Sequence, residues 1–121
     1  MSGANIVADT SLLINFFNGS EIANNFLKDR TIWISGITEI ELLAFPKLSS
    51  QDRKVIQSFL SECFVINLEN EIKLTAVDLR IKYKVKLPDA IIAATSIWLD
   101  FPLFTMDKGF KKIDELNSII L

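Results

Sequence analysis

Asn5-Ile6-Val7-Ala8 followed by Asp9-Thr10-Ser11 reads as a short buried strand that ends on an acid and turns straight into a helix. Thr10 or Ser11 can cap that helix, which runs through Phe17 and stops at Asn18-Gly19. The same strand-to-helix alternation continues in both senses of the pattern. Ser20 caps a helix whose Ile22, Ala23, Phe26 and Leu27 share one apolar face, and Thr31 to Ser35 is a β-branched and aromatic strand. Thr38 opens a helix that Pro46 closes. Ser50 caps the next, with Val55, Ile56, Phe59, Leu60 and Cys63 on its inner face. Phe64-Val65-Ile66 is a third strand. Glu69 to Tyr83 is a long helix with Ile72, Ala76, Leu79 and Tyr83 on one face. Pro88 suits a first helical turn, and a helix from Asp89 to about Leu99 follows. Leu103-Phe104 is a fourth strand and Ser118 to Leu121 a short fifth. Strands alternating with helices predict an α/β domain with a mainly parallel sheet of four or five strands. Such sheets bind ligands beyond the carboxyl ends of their strands.

Composition narrows the chemistry. The chain has 121 residues, half of them hydrophobic, which suits a single domain, residues 1–121, with a real core. Gly and Pro are scattered, and no repeat or low-complexity tract marks a linker. The first ten residues lack the basic and apolar regions of a leader, and Ala90 to Leu99 is too short to span a bilayer, so a soluble, cytoplasmic protein is expected, with no membrane partner. The one cysteine, Cys63, fits a small core hydrophobe. There is no histidine, which removes Ser-His-Asp and Cys-His triads and the usual zinc ligands. Carboxylates, hydroxyls, Lys and Arg remain, and carboxylates favour hard cations such as Mg²⁺ or Mn²⁺.

Four acids fall where the predicted sheet presents its carboxyl edge. Asp9 ends the first strand, Glu41 sits in the first turn of the helix after the second, Asp89 starts the helix feeding the fourth, and Asp107 follows the fourth. Each has a plain structural explanation. Thr38 and Glu41 match a capping box, Asp89 and Asp107 suit helix dipoles, and Asp9 suits a turn. Gathered on one rim, however, they would repel one another, and a divalent cation would resolve the conflict while activating water for phosphodiester hydrolysis. Net charge is −2, yet eight of the 13 basic residues lie from Lys73 onward. Lys84, Lys86 and Lys108 flank Asp89 and Asp107, either as solvated surface lysines or as a rim for RNA phosphates.

The motifs are also recognisable. Ile6-Val7-Ala8-Asp9-Thr10-Ser11 resembles the opening of PIN domains, and Thr38-Glu39-Ile40-Glu41-Leu42 resembles the family's Thr-x-x-Glu-Leu. Leu87-Pro88-Asp89-Ala90-Ile91-Ile92-Ala93-Ala94-Thr95 is the most specific match, and Phe104-Thr105-Met106-Asp107-Lys108-Gly109-Phe110 resembles the closing Thr-x-Asp-x-x-Phe. The resemblance implies a three-layer α/β/α fold and a Mg²⁺- or Mn²⁺-dependent endoribonuclease, most like the VapC-type toxins, which are usually homodimers silenced by a small antitoxin. By match, Asp9, Glu41, Asp89 and Asp107 would be the catalytic, metal-binding acids, with Ser11 and Thr105 as hydroxyls that orient them or bind phosphate. Glu39 is off the family's position and is left as a surface residue. Gly109 stands where some members carry a further acid, so a second metal site stays open. The count of two Trp and nine Phe also suits an interface between copies.

Other classes compete. A receiver domain needs adjacent acids after its first strand and an acceptor Asp after its third, which Phe64-Val65-Ile66-Asn67 lacks. An RNA-processing PIN nuclease without an antitoxin, and an inactive PIN-like interaction module, share the fold and are separated from a toxin by genomic context and by activity.

Overall fold

The computed structural model describes residues 3–121; Met1 and Ser2, part of the segment read as lacking a leader, lie outside the described residues. Five strands form one sheet: β1 (Asn5–Ala8), β2 (Thr31–Ser35), β3 (Phe64–Ile66), β4 (Leu103–Thr105) and β5 (Ser118–Ile120). Their spatial order is β3-β2-β1-β4-β5, and every neighbouring pair is parallel. The helices are α1 (Thr10–Phe17), α2 (Glu21–Leu27), α3 (Gly36–Leu43), α4 (Ser50–Leu60), α5 (Asn70–Tyr83) and α6 (Leu87–Leu99), with a 3-10 helix over Lys108–Lys112.

Strand alternation divides the core into two halves. Ile6, Ala8, Ile34 and Phe104 point into one cluster with Leu12, Leu13, Ala23, Leu42, Ile56 and Leu60. Val7 and Leu103 point the other way, against Ile72, Ala76, Leu79, Ala90 and Ala93. The sheet therefore lies between α1–α4 and α5–α6, the three-layer α/β/α arrangement that the family resemblance implied. From β1 the chain steps outward to β2 and β3, then returns to place β4 on β1's other side. The β1/β4 boundary is thus the topological switch point, where a parallel sheet opens a crevice at its carboxyl edge.

The element ends correct several readings. Asp9 itself caps α1, accepting from the Leu12 amide at 2.9 Å, so Thr10 is the first helical residue and neither it nor Ser11 is the cap. Ser35 caps α3, accepting from the Ile37 amide at 3.2 Å. Thr38 is therefore inside the helix and fully buried, and Thr38/Glu41 is not a capping box. Glu41 falls in the second turn of α3, not the first. The capping box belongs instead to Ser49 and Asp52, one residue ahead of the expected Ser50. α6 starts at Leu87, with Asp89 still in its first turn.

Two of the expected apolar faces are narrower than drawn. Ile22 and Val55 are exposed, because α2 and α4 each meet the sheet along a single edge. Cys63 lies just beyond α4, half-buried beside Phe59, and burial, aided by Glu62, pushes its thiol up to about 11. It is thus an inert packing residue. Among the described residues no helix is long and apolar enough to cross a membrane.

Candidate active site at the β1/β4 edge

β1 delivers Asp9 to the switch point, and β4 delivers Thr105 beside it. Asp9 is almost fully buried, and its side chain is held by three donors. The Ser11 hydroxyl donates to both carboxylate oxygens, at 3.0 and 2.8 Å, and Thr105 Oγ1 donates to Oδ2 at 2.6 Å. The Leu12 amide holds Oδ1. Burial nonetheless raises the Asp9 pKa. The hydrogen bonds from Thr105, Leu12 and Ser11 pull it back, and the charge of Asp107 pushes it up again. Thr105, fully buried, also accepts from the Asp107 amide at 2.9 Å, so one hydroxyl positions two of the four acids.

Asp107, read from the sequence as suiting a helix dipole, caps the 3-10 helix by accepting from the Gly109 amide at 2.8 Å. A Cβ at Gly109 would stand 3.1 Å from Asp107 Oδ1, so a side chain there would crowd that carboxylate. Asp89 projects from the first turn of α6 into the same region. Burial raises its pKa, Asp107 and Glu41 add to the rise, and Lys86 and Lys112 oppose it. Glu41 is reached from the α1 side: Thr10 Oγ1 donates to Glu41 Oε1 at 2.6 Å and lies 3.2 Å from Thr38 Oγ1. Thr10 is a site residue that the sequence reading missed. Its only signal was its place between Asp9 and Ser11, and a capping role seemed to explain it.

Asp89 and Asp107 line a cavity of about 270 Å³ together with Lys84, Lys86, Gly109 and Lys112. Two of the three lysines named from the sequence are here; the third position is taken by Lys112, while Lys108 is exposed outside the lining. Lys108 starts the 3-10 helix and Lys112 ends it, and that turn rotates the second toward the acids. Glu39, read as a surface residue, is half-buried in a separate cavity with Ser35 and Asn67.

The donor set suits a hard cation. It is all oxygen, burial and the charge of Asp107 raise the pKa of both Asp9 and Asp89, and the one ion pair among the described residues, Lys82–Glu115, lies elsewhere. Among the described residues no three acids are drawn into a ready-made metal cluster, so the four share a rim without closing into a cage.

A PIN-domain family model matches residues 6–116. The chain belongs to the PIN-domain family. PIN domains are nucleases, hydrolases of phosphodiester bonds. The PIN chain resembles a chain of a toxin–antitoxin complex from Klebsiella pneumoniae at 32% identity, over 94% of this chain and 95% of that one, with a TM-score of 0.83. VapBC2 from Rickettsia felis, solved on a promoter DNA fragment, shares 23% identity over 96% and 98% of the two chains, with a TM-score of 0.84. VapBC-1 from nontypeable Haemophilus influenzae shares 22% over 96% and 97%, with a TM-score of 0.81. At those identities the last two share the PIN fold. No curated protein sequence matches the chain.

Proposed function

We propose that this PIN domain is a single-domain, Mg²⁺- or Mn²⁺-dependent endoribonuclease, and that it acts in the cytoplasm as the toxin of a toxin–antitoxin pair. The observation that carries the reading is the meeting of Asp9, Asp89 and Asp107 at the β1/β4 switch point, where burial and the nearby charge of Asp107 raise the pKa of Asp9 and of Asp89, and no lysine or arginine among the described residues is ion-paired to them. Asp9, Asp89, Asp107 and Glu41 are the residues that would hold the metal. When bound, the metal would lower the pKa of a coordinated water and offset charge on the phosphate. The chain's own groups set the stage. Ser11 and Thr105 keep Asp9 in one orientation, Thr10 does the same for Glu41, and burial of Asp9 excludes competing water.

The partners follow from two apolar surfaces that the fold leaves uncovered. Leu74, Val77 and Ile81 form an exposed stripe along α5, with Leu68 and Leu87 beside it. Separately, Phe16, Phe17 and Phe59 pack against one another, two pairs T-shaped and one tilted, around an open groove of about 490 Å³ between α1 and α4. Two such surfaces suit two protein partners, a second copy of the chain and an antitoxin. The exposed large apolar residues are mostly aliphatic, with Phe45, Phe64 and Trp98 as the aromatic ones among them.

The test is cleavage of total cellular RNA with and without Mg²⁺, using wild type and Asp89→Asn. Metal-dependent cutting that Asp89→Asn abolishes, in a protein that melts as wild type does, supports the reading. An Asp89→Asn protein that still cuts at the wild-type rate overturns it, and a wild type that binds partners but never cuts identifies an inactive interaction module.

A further inference from the structure

Resting on that nuclease reading, we infer that Lys84, Lys86 and Lys112 form a phosphate-binding set that holds the RNA backbone over the Asp89/Asp107 cavity. The three lysines come from three separate places: the end of α5, the N-cap of α6 and the end of the 3-10 helix. All three line one cavity. That cavity also holds two carboxylates, yet none of the three lysines is within ion-pair distance of an acid among the described residues. Neighbouring Lys82, by contrast, is engaged by Glu115 at 3.7 Å. Lysines placed merely to neutralise Asp89 and Asp107 would have closed that gap. Cations and anions held apart around an open cavity leave room for a ligand bearing both a phosphate and a cation.

Lys84 adds a second argument. Its φ of +57° is left-handed, a conformation in which helix C-termini favour glycine. Asp29, Lys47 and Asp100 share that conformation away from the cavity, so what distinguishes Lys84 is that its side chain lines it. The cavity walls are also tied together. Tyr83, the last residue of α5, donates its hydroxyl to Glu115 Oε1 and accepts from the Asp114 amide at 3.2 Å. This joins the segment carrying Lys84 and Lys86 to the chain just beyond Lys112, fixing the spacing across the cavity. Lysine is a point charge that grips phosphate without reading a base, so the set positions the substrate and does not choose its sequence.

The experiment measures binding of a short dye-labelled single-stranded RNA to full-length protein, without divalent cations, across a series of salt concentrations. Wild type is compared with Lys84→Gln, Lys86→Gln, Lys112→Gln and the triple variant; Lys54→Gln, exposed on α4 in the opposite layer, is the control. Each cavity lysine should lower the slope of log affinity against log salt by about 0.7, and the triple variant by about 2, with Lys54→Gln unchanged. Single-stranded DNA of the same sequence should show the same losses, because the contact is to phosphate. Cavity variants that keep the wild-type slope overturn the phosphate set; if wild type still cuts RNA, the nuclease reading survives. A wild type that neither binds nor cuts RNA overturns both.

Discussion

Thr105→Val replaces a hydroxyl by a methyl of nearly equal volume at a fully buried position, so packing is kept and hydrogen bonding is removed. The donation to Asp9 Oδ2 at 2.6 Å and the acceptance from the Asp107 amide at 2.9 Å both go, along with a long 3.4 Å contact to Ser11 Oγ. The first, to an ionised group, contributes about 1.5–3 kcal/mol, and the second about 0.5–1.5 kcal/mol. Asp107 is exposed, so its amide can turn to water and the second loss sits at the low end. Ser11, still 2.8 Å from Oδ2, limits the first. The net cost should be about 2–3 kcal/mol at neutral pH. The pH dependence has a definite sign. The Thr105 bond favours ionised Asp9 and restrains a pKa that burial has raised; valine lets it rise further. The penalty is therefore largest where Asp9 is charged, and it shrinks to about 1 kcal/mol as pH falls through the folded-state pKa of Asp9. Urea unfolding of metal-free protein at a series of pH values measures both quantities. A cost under about 0.5 kcal/mol at neutral pH, the range of inert surface changes, would refute the reasoning. So would a larger cost that did not change with pH.

Three further outcomes follow from the same geometry. Asp9 and Asp89 both have raised folded-state pKa values, so their ionisation costs stability. Metal-free protein should lose stability as pH rises from the ordinary carboxylate range through those raised values, and a melting temperature that climbed over that window would contradict the cluster. Mn²⁺ at a hundred times its dissociation constant should restore about 2.7 kcal/mol at neutral pH, read as a rise in melting temperature; no rise at tens of millimolar would count against a metal site. Ile81→Glu, on the exposed α5 stripe, should convert a homodimer to a monomer by light scattering without lowering the melting temperature of the monomer, and a wild type already monomeric at micromolar concentration would remove the dimer from the proposal.

Local signals carried the sheet. The four-residue run at Asn5–Ala8 and the β-branched Thr31–Ser35 became β1 and β2 with those bounds, because a buried parallel strand is apolar throughout and short. The alternation of elements was likewise enough for an α/β domain with a parallel sheet, while the three layers came from the family resemblance. What sequence order could not settle was which hydroxyl serves which acid. Thr10, Ser11, Ser35, Thr38, Ser49 and Ser50 are chemically near-equivalent caps, and the choice among them depends on where the preceding strand ends in space. Hence Asp9 took the cap expected of Thr10 or Ser11, Thr10 turned to Glu41 across 31 positions of chain, and Thr105 reached Asp9 across 96. Lys112 joined the cavity in place of Lys108 for the same reason: a single 3-10 turn sets its direction, and no periodicity announces it. Sequence alone determined that four acids, and no histidine, were available to this domain. Only the packing of β4 against β1 decided that Thr105 would donate a hydrogen bond to Asp9, because that contact exists nowhere along the chain until the sheet is complete.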